Sequence, residues 1–289
     1  MIIYMDNTIL HISSKYINKK TYKTTDFTYN LPYEIRDAIY IRLSSIEIPN
    51  VSYYFNSIVN KNTTFQIKYK NKTHNITIED GNYSSSQLSC AINNELRELE
   101  IDTSINFEIN PISGKSSFYS ENDESFELIF ITNGYEPLNK ILGFHNSLYK
   151  NSNLYESDDI MNITGSSLFF VKINDYGRIT TNFSNNLFAK IITYTDKYTV
   201  TFNDGSNLIS KDRFFDQPIN INKLQIQILD EYGNVMDIGM IDISLTLEIC
   251  TVRNSYIKTF MSSNQFRNHS YEDFVKSMDQ IKFKSMLNA

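Results

Sequence analysis

Along most of the chain, apolar residues alternate with polar ones. Ile39, Ile41 and Leu43 alternate with Tyr40, Arg42 and Ser44; the phase slips at Ser44-Ser45, and Ile46 and Ile48 then take over the buried parity. One extra residue that turns the face over is what a β-bulge does. The same period of two recurs in Phe65, Ile67 and Tyr69; in Ile105, Phe107 and Ile109; and in Tyr198, Val200 and Phe202. It recurs again in Leu224, Ile226 and Ile228, and in Ile243, Leu245, Leu247 and Ile249. Short half-buried runs rich in β-branched and aromatic residues predict strands. Phe126–Ile131 and Leu168–Ile173 are almost continuously apolar, as expected of central strands with both faces covered.

Turn chemistry separates these runs. Asp175-Tyr176-Gly177, Asn203-Asp204-Gly205 and Asp230-Glu231-Tyr232-Gly233-Asn234 each place a glycine where a positive φ is expected. The last of these predicts an antiparallel hairpin joining Leu224–Leu229 to Ile241–Ile249. About eight to ten strands with few helices between them predict an antiparallel sandwich or barrel.

One helix interrupts the strands. Ser84 is its expected N-cap, with Gln87 completing a capping box. Leu88, Ala91, Ile92, Leu96 and Leu99 then form one stripe of an amphipathic helix, with Cys90 beside it, expected to close one end of the sandwich. After Ile249 the character changes. No period is visible from Thr251 to Asn268. Ser270 and Asp273 then make a second capping box, and Tyr271, Phe274, Met278 and Ile281 follow at helical spacing with Lys276, Lys282 and Lys284 elsewhere. This terminal stripe either packs back on its own domain or docks on a neighbour.

The chain has 289 residues, enough for one large domain or two modest ones. Its 41% apolar and 21% charged residues exclude disorder, and its 9 Gly and 5 Pro exclude a collagen-like chain. The net charge of -6 argues against a body built to bind nucleic acid. That charge is uneven: residues 1–30 carry +2, residues 253–289 carry +3, and 31–252 carry -11. An acidic body with basic ends suggests arms that reach for another surface. The N-terminus lacks a basic n-region and no apolar run is long enough to span a bilayer, so use in the cytosol is expected. Cys90 and Cys250 sit in apolar patterns and are read as buried thiols of a reducing compartment, with a single bridge between them left open.

No catalytic constellation emerges. There is no G-x-S-x-G elbow, P-loop or G-x-G-x-x-G, and Gly165-Ser166-Ser167 lacks the second glycine of an elbow. His11, His74, His145 and His269 are far apart and none has a metal ligand close behind it. Solvated roles are expected for the first two and the last, and a helix cap for His145. Asp158-Asp159 and Asn203-Asp204-Gly205-Ser206-Asn207 could offer oxygens to Ca²⁺ but lack the spacing of an EF-hand loop. The expectation is a protein that is not an enzyme and holds no cofactor or metal; a sandwich hydrolase fails for want of a nucleophile and base. The aromatic surplus, including Tyr53-Tyr54-Phe55, Phe169-Phe170 and Phe214-Phe215, is expected mostly in the core, with a few exposed rings as interface anchors.

Four stretches together carry a resemblance. They are Phe27–Pro32 followed by Ile41–Asn50; Ile78–Ser84 leading into Leu88, Ile92 and Leu96; Leu142-Gly143-Phe144; and Ile221–Leu224 through Leu229–Asn234 to Leu245–Ile249. In this order they resemble the minor capsid and penton-like proteins of large nucleocytoplasmic DNA viruses. The resemblance implies an all-β single jelly-roll, an antiparallel sandwich, placed here over 27–252; charge and periodicity, not the resemblance, add an N-terminal arm at 1–26 and a C-terminal arm at 253–289. It implies a structural component of an icosahedral capsid, penton or minor, with no catalytic residues to carry over. The implied partners are major and minor capsid proteins and further copies of itself, as in a pentamer, in a virion assembled in the host cytoplasm, with no small-molecule substrate. The tails lie outside the resemblance. Charge and periodicity alone mark Tyr256, Phe260, Phe266, Tyr271, Phe274, Met278 and Ile281 as interface residues of the C-terminal arm, with nucleic acid or membrane as less favoured targets of its basic groups. A second class of function, a carbohydrate-binding sandwich used for attachment, shares the fold.

Overall fold

A computed structural model describes residues 5–18, 20–98, 105–193, 197–203 and 212–252. The elements run in order β1 (Met5–Ser13), β2 (Asp26–Pro49), β3 (Thr64–Tyr69), β4 (Lys72–Thr77), α1 (Ser85–Glu98), β5 (Ile105–Ile109), β6 (Ser116–Ser120) and β7 (Phe126–Phe130). They continue with α2 (Leu138–Ile141), β8 (Leu148–Ser152), β9 (Leu154–Glu156), β10 (Leu168–Ile173), β11 (Ala189–Ile192), β12 (Val200–Asn203), β13 (Asp212–Leu229) and β14 (Ser244–Val252). Every ladder between them is antiparallel. The expected all-β antiparallel body with one inserted amphipathic helix is therefore present. The expected helical arm after Val252 lies outside the described residues.

The chain forms two compact units, one from the segments on either side of residues 53–166 and one from 53–166 themselves. In the first, the strand order is β1-β14-β2-β13-β10-β11, with β12 also on β2. The 24-residue β2 organises it. Its start, Asp26–Asn30, pairs with Lys223–Gln227 of β13; its later part lies between β14 on one side and β12 and the start of β13 on the other. Register shifts in β13 between Phe214 and Lys223 bracket Pro218, which has no N–H to give to a ladder. These irregularities bend the two long strands, so that Leu43, Ile46 and Leu247 share one core with Phe27, Val171 and Ile226. The sheet thus closes over its own apolar face as a sandwich.

The slip at Ser44 is real. Thr246 lies opposite Ser45 and Leu247 opposite Leu43, leaving Ser44 as the extra residue. A second shift, between Cys250 opposite Tyr40 and Thr251 opposite Ala38, leaves Ile39 unopposed. Strand β10 is covered on both faces as expected: Phe169, Val171 and Ile173 join the main core, and Phe170 packs with Leu187 and Leu229. Strand β7, expected to be the same, buries only Phe126, Leu128 and Phe130 and leaves Glu127 and Ile129 half-buried.

Three expectations are corrected here. First, β13 and β14 do not form a hairpin, because β2 lies between them. The turn at 230–234 exists, with Gly233 at φ 90° and the Asp230 carboxylate accepting the N–H groups of Tyr232 and Asn234, but it returns the chain only as far as a Leu229–Val235 bridge. Second, Gly177 is not at positive φ. A Cβ there would stand 2.3 Å from the Asn186 backbone carbon, so glycine is required by close approach. Third, residues 5–13 are a full edge strand on β14, from Met5 opposite Val252 to Ser13 opposite Ser244.

In the second unit, sheets β4-β3-β7-β8 and β5-β6-β9 contribute to one core. Phe118 lies 5.4 Å from Phe65 and 4.7 Å from Phe107, ring centre to ring centre. The helix α1 begins as expected: the Gln87 N–H donates to Ser84 Oγ at 3.3 Å, and the Ser84 N–H donates to Gln87 Oε1 at 2.9 Å. It buries Leu88, Ile92 and Leu96. Asn93 accepts the Phe107 N–H and donates to the Phe107 carbonyl, both at 2.8 Å, so that one side-chain amide completes the backbone bonding of β5. Cys90, expected buried, is exposed, because it lies just off the stripe; Cys250 is buried, and both thiols are free.

Candidate assembly surface

The strand β12 grows from an unusual start. Tyr198 has φ 67°, a left-handed conformation that costs a bulky residue of the order of 1 kcal/mol or more. It is fixed by the Tyr198 N–H donating to the Asn50 carbonyl at 2.9 Å and the Asn50 N–H donating to the Thr199 carbonyl at 2.8 Å. Val200, Thr201, Phe202 and Asn203 then lie opposite Pro49, Ile48, Glu47 and Ile46. Residues directly opposite share a face. The bulge at Ser44 has already turned Ile46 and Ile48 inward and Glu47 outward, so Thr201 follows Ile48 into the core and Phe202 follows Glu47 out.

This inverts the parity expected from the sequence. Thr201 is only 3% exposed, whereas Tyr198, Val200 and Phe202 are 67%, 56% and 60% exposed. Tyr198 just precedes, and Val200 and Phe202 lie on, a strand whose only strand partner among the described residues is β2. Unlike it, the edge strand β4 exposes Lys72, Thr73 and Asn75, and β8 sets Lys150 and Asn151 beside its exposed Leu148. On β1, Asn7 and His11 flank Ile9. Charged and polar side chains of this kind discourage edge pairing; β12 has none at its outward positions. Beside Phe202, Glu47 accepts the Ser244 hydroxyl at 2.5 Å. At the start of the strand, burial holds the Lys197 ammonium below its ordinary pKa while it donates to the Ser52 carbonyl at 3.3 Å.

A polar cluster sits elsewhere, in the unit formed by residues 53–166. Asp158 Oδ2 accepts the His145 N–H at 2.9 Å and the Tyr149 hydroxyl at 2.8 Å, and His145 Nε2 lies 2.6 Å from Asp159 Oδ2. The bond to Asp159 raises the pKa of His145, and the His145 N–H, then the Tyr149 hydroxyl, lower that of Asp158. His145 therefore locks the 157–160 loop rather than capping α2, which ends at Ile141 and is followed by Gly143 at φ 85°. The two carboxylates weighed as calcium ligands are engaged in this lock. Among the described residues no three His, Cys, Asp or Glu side chains are grouped to hold a metal ion. An open groove of about 760 Å³ runs between Ser89, Cys90 and Asn93 of α1 and Ile109, Met161 and Ile163.

The expected interface residues Tyr256, Phe260, Phe266, Tyr271, Phe274, Met278 and Ile281 lie outside the described residues, as do His269 and Asp204–Asn207. His11 and His74 lie on the edge strands β1 and β4. Of the aromatic runs, Phe55, Phe169, Phe170, Phe214 and Phe215 are buried and Tyr53 is exposed.

No family model matches the sequence. No curated protein matches it either. Among solved structures, the selenomethionine-labelled mavirus penton protein aligns with 84% of this chain and 99% of its own, at a TM-score of 0.48 and 12% identity.

Proposed function

We propose that this chain is a structural subunit of an icosahedral viral capsid, a penton or minor capsid protein, and acts through subunit–subunit contacts. The observation that carries the reading is the row Tyr198, Val200 and Phe202: three apolar side chains turned to solvent at the start of and along a strand whose one strand partner among the described residues is β2. Exposed apolar surface of this kind marks a site of association, and large rings suit interface anchors. The resemblance of residues 27–250 to capsid proteins of large DNA viruses supports the same reading. In it, the residues after Val252, with Tyr256, Phe260, Phe266, Tyr271, Phe274, Met278 and Ile281, bind a neighbouring subunit. Partners are further copies of the chain, in a ring such as a pentamer, and other capsid proteins, within virions assembled in the host cytoplasm.

Native mass spectrometry of the full chain, together with its copy number in purified particles, tests the proposal. Oligomers and a copy number that is a multiple of about sixty, the order of the icosahedral group, are expected. A strictly monomeric protein absent from particles, or one that binds glycans as a monomer, overturns it.

A further inference from the structure

We infer that the outer edge of β12 is the seat of residues 255–261 of a second copy of this chain, added alongside as an extended strand. The inference rests on the proposed assembly role and names the surface it uses. Among the described residues no strand pairs with this edge; backbone pairing there gives such a segment affinity, and alternate side chains give it specificity.

The chemistry of the two sides matches. In an extended segment Tyr256, Lys258 and Phe260 fall on one face. That face offers two rings to Tyr198, Val200 and Phe202, and an ammonium to Glu47, which lies directly opposite Phe202 on the exposed side of the sheet. The stretch 253–270 contains Arg253, Lys258 and Arg267 and no carboxylate side chain, whereas residues 31–252 carry a net -11.

Chain length decides between the same copy and another. Thr251 lies opposite Ala38 on β2, while Phe202 lies opposite Glu47, nine residues further along. At about 3.3 Å per residue this separates them by about 30 Å. Tyr256 is five residues beyond Thr251 and reaches at most about 18 Å. It cannot reach β12 of its own subunit, so a seat there belongs to a neighbour. The contact is head-to-tail, the kind that closes rings.

The test uses the full-length chain with Cys90→Ser. A copy bearing Val200→Cys is mixed with a differently tagged copy bearing Phe260→Cys, under mild oxidation. A disulfide joining the two tags is expected, and its absence at all concentrations overturns the inference. Independently, Glu47→Lys should weaken self-association at least tenfold by sedimentation, and Lys258→Glu in the same chain should restore it; no weakening, or weakening without restoration, counts against the seat. If deletion of 253–289 abolishes assembly while Val200→Lys and Glu47→Lys leave it unchanged, the arm docks elsewhere and this inference alone falls. If none of these changes alters association, the assembly role falls with it.

Discussion

Thr201 lies opposite Ile48 in the β12–β2 ladder, and both side chains are buried. The polar-looking residue is the core residue, and its apolar neighbours Val200 and Phe202 are the surface. Two substitutions separate these roles. Thr201→Asp should cost about 3 kcal/mol or more, because it buries an unpaired carboxylate, whereas Val200→Ser should stay within about 0.5 kcal/mol. Urea denaturation of the full chain measures both. Equal effects would mean that the face assignment is reversed.

Gly177 should tolerate no side chain. A Cβ would lie within 2.4 Å of Asn186 and Leu187 backbone atoms, so Gly177→Ala must push two segments apart. A loss of about 1–3 kcal/mol, as in other overpacked sites, is expected from the same measurement, although φ at this position suits any residue.

The helix α1 depends on two polar devices. Ser84→Ala removes the acceptor of the Gln87 N–H and should cost about 1 kcal/mol. Asn93→Leu takes the acceptor from the Phe107 N–H and leaves the Phe107 carbonyl with the Ser89 hydroxyl alone, and should cost about 1–3 kcal/mol, the range for an unsatisfied buried group. Hydrogen exchange at the Phe107 amide should accelerate in Asn93→Leu and not in Ser84→Ala.

Proton binding at His145 should be easier than in an ordinary histidine. The Asp159 bond raises its pKa above 6.5. A raised folded-state pKa stabilises the loop fully below the ordinary value, and that stabilisation fades as pH rises through the raised one. An NMR titration should find the His145 midpoint above 6.5 and lower in Asp159→Asn. An unchanged midpoint would remove the lock.

The two thiols should differ in reactivity. Cys90 is exposed, while Cys250 is buried and its pKa is pushed up to about 11 by burial, then by Glu248 and Asp6. Iodoacetamide at neutral pH should label Cys90 in the folded chain and reach Cys250 only after unfolding, as read by mass spectrometry.

Periodicity revealed the strands because burial on one face of a sheet imposes it. Ile46, Leu247 and Ile226 are legible for that reason, and so is the Ser44 bulge. What it could not show is which strand pairs with which: the 230–234 turn looks the same whether it closes a hairpin or, as here, leads around β2. Nor could it reveal that residues 53–166 form a unit of their own, since their strands alternate just as the others do. The β12 face is not legible in the sequence, because threonine is at home in either environment. The positive φ at Tyr198 that starts this strand leaves no mark in composition. The one available hint was that Tyr198, Val200 and Phe202 follow a polar stretch at residues 195–197 and precede Asn203-Asp204, so no apolar neighbour in sequence ties the row to the core.

The length of β2 also governs how the protein comes into being. This strand leaves the ribosome early, yet three of the strands it pairs with, β12, β13 and β14, begin only at residue 200 and beyond. Until they are made, its apolar side has no lasting partner, and such distant pairings close slowly. Residues 53–166, whose strands pair among themselves, have no such wait. During synthesis the stretch interrupting the larger unit can therefore be finished first, while β2, already exposed, is the segment most in need of a chaperone.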